Sequence, residues 1–449
     1  MNKCIRRGNV RRSSTQERSE PNETPASPTH PDLPLASDTL TRGVRAMKQK
    51  RGVLMHRILV AAALSIGLAG GAWATQSIKC GSNVSREGKT ITVKPTGISD
   101  TENLQCALDL AVAAGRGSVV ELAGPTGRPF HTAQLVAKNF KGTIRGKGMK
   151  RTIIQNLPDL CVAPDNYVLA PPTPPPSPAS GPCPAGKNPW PILLTVDGGD
   201  VVVSDLAIQI VGDAPTKEYT LSAIFGPSSG PITILQAAIG ATGTNPQLRV
   251  SRVSLSGQDL DPSRGINVEN GVVFTGGIAP GTELSGYCVV TDSYIKNMFR
   301  GSLVITVKDA TVVFVNNTFD SVGDAVQFGG LTNTDVRFVK NKVSSFFGVL
   351  VADFPFPPGT FTNSRLFIAH NTFSSQIPGA GGAIGIIATF NAKTSCLVVL
   401  NDTTAIELDD PSYPILLGPG TKDCLVVTRE ANTVNDQGAN NRIITVPWR

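Results

Sequence analysis

Residues 75–449 carry no excess of charge, with 29 Lys and Arg against 29 Asp and Glu. The formal +7 of the whole chain resides in residues 1–74, which hold 12 basic and 5 acidic side chains. Binding to phosphate backbones needs a basic footprint on the folded part, so nucleic acid is excluded as a partner. Aromatic residues are scarce at 6%, and Trp190 and Trp448 are the tryptophans beyond residue 74, so stacking platforms for sugar rings are few. Trp190 sits in Lys187-Asn-Pro-Trp190-Pro, where it packs in a loop or rims a groove. Beyond residue 74 the histidines are His131 and His370, and no two cysteines stand at C-x2-C or C-x2-4-C spacing. Those absences exclude a nucleophilic triad and a zinc site. No dense acidic cluster is present to hold calcium. No cofactor and no metal is therefore expected.

What is present reads as an exported all-β chain. With 40% hydrophobic residues, 45 Gly and 34 Pro, the composition is too apolar for disorder and too rich in turn residues for helical bundles. Arg51 and Arg57 precede the apolar run 58–71, and Ala72-Trp73-Ala74 follows it, the pattern of a secretory signal with its cleavage site. The run is shorter than the ~20 residues a membrane span needs, so no stable span is expected after cleavage. An uncleaved segment 47–74 acting as an anchor is the alternative. Residues 1–46, rich in Arg, Ser, Pro and Thr, read as a disordered extension or as sequence upstream of a start at Met47 or Met55. The working domain then covers residues 75–449 and is secreted, periplasmic or at the cell surface.

Seven cysteines fall in that domain: Cys80, Cys106, Cys161, Cys183, Cys288, Cys396 and Cys424. An odd number leaves at least one without a partner in the chain. Cys161 and Cys183 bracket a Pro-rich stretch, so their pairing would staple a surface loop over 164–191. Residues 213–247 are polar and punctuated by Pro215, Pro227, Pro231 and Pro246, and are expected to form long insertions on one face.

From about residue 285 one pattern recurs: a β-branched run, Asn-x-apolar, small residues, then a second apolar run. Ser293, Asn317, Asn341 and Asn371 mark equivalent points 24, 24 and 30 residues apart, and weaker copies begin at Cys396 and Cys424. Short strands repeating at that period without helices between them predict a solenoid of β-coils, whose stacked turns share one interior. Asn317, Asn341 and Asn371 are expected to stack into a structural ladder. Cys396 and Cys424 occupy the same place in two copies, as a disulfide or as a reduced ladder. His370, inside an apolar run, is expected to pack or to join the ladder. Before the repeats, Ser99 or Asp100 is placed to cap an amphipathic helix beginning near Thr101, which would cover the open end of the solenoid.

The order of strand, G-x-x-D-T-x-x-x-Q-x-A-L helix over 97–108, strand Val119-Val-Glu-Leu122, then Ile144-Arg-Gly-Lys-Gly148 and Thr152-Ile-Ile154 resembles the N-terminal coils of the pectin lyase-like superfamily. The resemblance covers residues 88–156 and the repeats over 285–390 extend it. It implies an all-β, right-handed, single-stranded parallel β-helix with an N-terminal capping helix. As to function it implies a range, from polysaccharide lyases, glycoside hydrolases and uronate epimerases to phage tailspikes and non-catalytic adhesins.

The catalytic motifs of that superfamily are mostly missing. Polygalacturonase-like hydrolases carry N-T-D, D-D, G-H-G and R-x-K in order. Here Asn333-Thr334-Asp335 follows Gly323-Asp324 instead of preceding it, and G-H-G does not occur. The paired acids Asp409-Asp410 stand before Pro411 in a turn, as a solvated loop. What remains is a constellation on adjacent coils. Aligning Ile295 with Phe319 sets Arg300 level with Asp324, and aligning Leu303, Val326 and Leu350 sets Thr306, Gly329 and Asp353 in one outward column, with Lys308 two residues beyond. Arg300, Lys308, Asp324 and Asp353 are thus the candidate site, able to bind a uronate or move its C5 proton. A surface ion pair between stacked rungs is the plainer reading of the same residues. Two functions follow: an enzyme that cleaves or modifies an acidic polysaccharide, or a non-catalytic β-helix binding protein, adhesin-like or envelope-associated.

Overall fold

The computed structural model describes residues 78–124, 127–157, 192–211, 236–257, 269–276, 283–352, 361–375, 382–391, 393–406 and 413–447. Apart from the antiparallel pair Val84–Glu87 and Thr90–Val93, every strand pairing among the described residues is parallel. Successive coils stack in three ladders. The first face runs through Lys141–Arg145, the start of Asp200–Gln209, Asp335–Val339, Arg365–Ala369, Ser395–Val399 and Cys424–Thr428. The second includes Ile153–Asn156 and Thr372–Ser375. The third includes Ile192–Asp197, Gln236–Thr242, Glu269–Thr275 and Gly382–Ile386. The strand Tyr294–Val315 goes round all three, bending at Asn297, Thr306 and Asp309, each with φ of 52° or 53°. The left-handed region is least costly for Asn, Asp and Gly, so the corners of a coil can be read in those residues.

One corner explains the repeated asparagines. Asp292, Asn316, Lys340 and His370 are all left-handed and lie one residue beyond Thr291, Val315, Val339 and Ala369, which share a register column. The next residue of each coil turns inward, giving the buried series Ser293, Asn317, Asn341 and Asn371. The Oδ1 of Asn341 accepts from the backbone N–H of Asn317 at 2.9 Å and from its Nδ2 at 3.1 Å. Asn371 serves Asn341 in the same way, and Asn401 serves Asn371. Each amide also donates to a carbonyl of an earlier coil, as Asn341 Nδ2 does to Phe314 O at 3.1 Å. The expected ladder therefore exists, satisfying corner backbone that the sheet pairing leaves over. His370 does not pack: it is the exposed left-handed residue of the corner.

The interior is a set of in-register apolar columns, such as Phe274, Val304, Phe328, Val351, Ile386 and Leu417. Phe314, Phe338 and Phe373 stack across coils, with centroids 6.1 and 6.5 Å apart for successive pairs. Each such side chain contributes ~1.5–3 kcal/mol on burial, and no coil can bury its own face without a neighbour.

Helix α1, Thr101–Ala114, buries Leu104, Ala107, Leu108 and Ala111 against strands of the first coils. Asp100 is its N-cap residue, yet its carboxylate makes no cap bond. It accepts instead from the N–H groups of Thr96 and His131, tying the preceding loop to the strand Phe130–Thr132. Cys80 and Cys106 are bonded, which fastens the chain before the first strands to α1. Cys396 and Cys424 are register partners and are bonded. Cys288 is a buried free thiol, and burial pushes its pKa up to about 12. The proposed Cys161–Cys183 staple and the loop 164–191 lie outside the described residues. Of the segment 213–247 expected as insertion, residues 236–242 form a third-face strand, paired on both sides.

Candidate active face

Arg300 and Asp324 are register partners on the third face, flanked in the same column by Asn270 and Phe347. The residue after each column member is Gly271, Gly301, Ala325 or Gly348, and these small residues turn inward. A side chain at Gly301 would strike the Phe319 ring and come within 2.6 Å of Ala325 O. The inward crowding sends the preceding residues, Arg300 and Asp324, to the outside of the coil.

The two charges sit 3.6 Å apart, Arg300 Nε to Asp324 Oδ2, with side chains 13% and 9% exposed. Arg300 Nε also donates to Gln327 Oε1 at 2.5 Å, and its guanidinium lies 4.3 Å from the centroid of the Phe299 ring. Beside this group the outer side of the sheet is apolar, with Ile192, Ala237, Val273, Leu303 and Ile305 buried together apart from the main core. Water is thus largely kept from the pair. Burial raises the pKa of Asp324 to about 6, against the opposing pull of Arg300. Burial lowers that of Arg300, and Asp324 resists the change. The result is a carboxyl group that exchanges its proton near neutral pH beside a fixed guanidinium and a carboxamide, the conjunction expected of a functional site.

A second cation–carboxylate register pair stands on the same two strands across the corner at Asn297 and Ser321. Lys296 pairs with Asp320, and the Tyr294 hydroxyl donates to the Asp320 carboxylate. That bond pushes the Tyr294 pKa up to about 12, with burial adding to it. Ser321 Oγ donates to Asp320 Oδ1 at 3.2 Å.

Of the four candidate residues the structure brings Arg300 and Asp324 together. It does not bring Lys308 to them: Lys308 is exposed, lies beyond the left-handed Thr306, and pairs with Thr332. Asp353 lies outside the described residues, as do Asp409, Asp410, Trp190 and Trp448. The column expected from Leu303, Val326 and Leu350 is off by one residue in the middle coil. Leu303 faces Gln327, which faces Leu350, and Gly329 faces Ile305 rather than Thr306. The two strands keep one offset of 24 residues from Tyr294–Thr318 to Lys308–Thr332, and matching Leu303 to Val326 by apolarity departs from it by one. That same slip hid Gln327. Tyr294 and Asp320 could have been found from their spacing of 26 residues, one coil plus two. Asn333-Thr334-Asp335 is a structural corner: Asn333 donates to Asp309, Thr334 is buried, and Asp335 accepts from Arg337. Among the described residues no three His, Cys, Asp or Glu side chains gather as a metal site, and no helix is long and apolar enough to cross a membrane.

No family model matches the chain, and no curated protein does. Among solved structures it is similar to the polygalacturonase of Erwinia carotovora ssp. carotovora, at 13% identity and a TM-score of 0.40, over 83% of this chain and 98% of that one. It is similar to an exopolygalacturonase from Thermotoga maritima at 12% identity and a TM-score of 0.34, over 79% and 91% of the two chains. The A-module of an Azotobacter vinelandii mannuronan C-5 epimerase gives 13% identity and a TM-score of 0.31, over 79% and 98%. The register of the stacked coils establishes by itself that the chain is a parallel β-helix protein.

Proposed function

We propose that the chain is an exported, right-handed β-helix protein that acts on an acidic, uronate-containing polysaccharide at the outer side of its third face. Residues 47–74 are then its signal, residues 75–449 the mature domain, and α1 the cap of the solenoid. One observation carries the reading: Arg300, Asp324 and Gln327 converge on the outside of the sheet, with the Asp324 pKa near 6. In this reading the Arg300 guanidinium receives the uronate carboxylate, Gln327 holds Arg300 in place, and Asp324 gives or takes the proton. Lys308 takes no part in the chemistry, and a role for Asp353 stays with the proposal.

A second reading is a non-catalytic binding protein on the same face. It is favoured by the low exposure of Asp324, whose charge Arg300 already answers. Incubation with pectate, alginate and glycosaminoglycans, followed by absorbance of unsaturated uronates and by reducing ends, separates the two. Turnover lost in Asp324→Asn and Arg300→Ala supports the enzyme. Binding retained without turnover on every polymer supports the second reading, and neither binding nor turnover rejects both.

A further inference from the structure

The solvent side of the first face changes character along the solenoid. In early coils its outward positions are mixed, with Glu121, Arg145, Gln247, Arg249 and Ser251 among Val119, Val202 and Val289. From the coil of Thr311–Val315 onward they become Val313, Val339, Phe367, Leu397, Leu425 and Val427, each half-buried. These are not core residues. Their strand neighbours, such as Phe338, Ile368, Val398 and Val426, fill the interior, and strict alternation puts the former outside. A water-facing side of a sheet is normally polar, so apolar outward residues on five successive strands from Thr311–Val315 to Cys424–Thr428, followed by Arg442–Thr445 as a sixth, mark a docking surface.

The charges on these strands decide what docks. Arg337, Arg365 and Arg442 lie among the apolar residues, and Asp335 is the one carboxylate within the six strands. Asp335 is shared by Arg337 at 2.8 Å and Arg365 at 3.6 Å, while those arginines stay 54% and 71% exposed. The corners beside these strands carry Lys340, Lys393, Lys422 and Arg429 as well as Asp309, Asp423 and Glu430. A second copy laid face to face would bring like charges together. An anionic, apolar surface meets both features at once.

We propose that the outer first face of the C-terminal coils is a peripheral docking surface for an anionic lipid bilayer. The arginines engage headgroup phosphates and the Phe367–Leu397 stripe lies against the acyl boundary. This is independent of the polysaccharide reading, which concerns another face.

The test is co-sedimentation of the full chain with vesicles of phosphatidylcholine containing one quarter phosphatidylglycerol, beside pure phosphatidylcholine. Binding is expected with the anionic vesicles, falling as salt is raised. Arg365→Ser with Arg442→Ser removes two exposed cations and is expected to weaken binding ~30-fold, at ~5-fold for each cation. Phe367→Glu with Leu397→Glu is expected to abolish it, with folding checked by circular dichroism. The apolar run 58–71 is present in every variant, so binding that survives both pairs of substitutions overturns the proposal. So does equal binding to the neutral vesicles. A dimer that forms without vesicles and is lost in the glutamate variant also overturns it, assigning the face to self-association.

Discussion

Asp324 is where a single residue tests the account. Its native pKa near 6 stands above the ordinary 3.8, so between those values the native state holds a proton that the unfolded chain has lost. The native state then binds more protons, and stability falls as pH rises through that window, by up to about 3 kcal/mol. Asp324→Asn removes the titration, and denaturation midpoints from pH 4 to 6 should flatten relative to the parent. The Asn also mimics the protonated carboxyl, so at neutral pH the variant should match the parent in stability or slightly exceed it. Arg300→Leu alone leaves a carboxyl buried without its counter-charge and should cost several kcal/mol. Replacing both residues by Leu should recover most of that loss, because a desolvated pair contributes little net stability, while abolishing any action on uronates. The ladder makes a contrasting prediction. Asn341→Ala strands the N–H groups of Asn317 and the Phe314 carbonyl, and urea titration should show a loss of about 2–4 kcal/mol with no effect on the pH profile.

The coil is the scale at which sequence and structure can be compared. The ladder was legible because Asn317, Asn341 and Asn371 recur at a nearly constant interval and must sit at equivalent corners. Arg300 opposite Asp324 was legible for the same reason, since Ile295 and Phe319 anchor the register across an unbroken coil. Gln327 was not, because matching the apolar Leu303 to the apolar Val326 departs by one residue from the offset that Ile295 and Phe319 set. His370 misled because an apolar run surrounds it, yet the left-handed corner turns it to solvent. The bond between Cys80 and Cys106 joins the segment before the first strand to a helix, outside any repeat that could have aligned its partners. The corner itself is testable. Gly301→Ala drives a methyl against Phe319 and Ala325 O, and a cost of about 1–3 kcal/mol is expected in thermal unfolding, with Arg300 displaced and its side function impaired. Cys424→Ser opens the link between two coils 28 residues apart and should cost about 3–4 kcal/mol, read as the difference in unfolding between variant and parent without reductant.

For the whole molecule, the distribution of surface matters more than its sum. The balance of 29 basic against 29 acidic side chains in residues 75–449 leaves no long-range field to gather a polyanion. Any acidic sugar must be recognised by a local group, and the structure offers one that is largely dry on the third face and another, with Tyr294 and Asp320, round the corner. The apolar stripe lies on the first face, so a lipid surface and a polymer would not compete for the same residues. The most direct measurement is binding and turnover of polygalacturonate and alginate by the parent and by the Arg300→Leu, Asp324→Leu double variant, both verified as folded. The account predicts that the parent acts on at least one of these polymers and that the stable double variant does not. A folded parent that neither binds nor changes either, or a double variant that retains the activity in full, would contradict it.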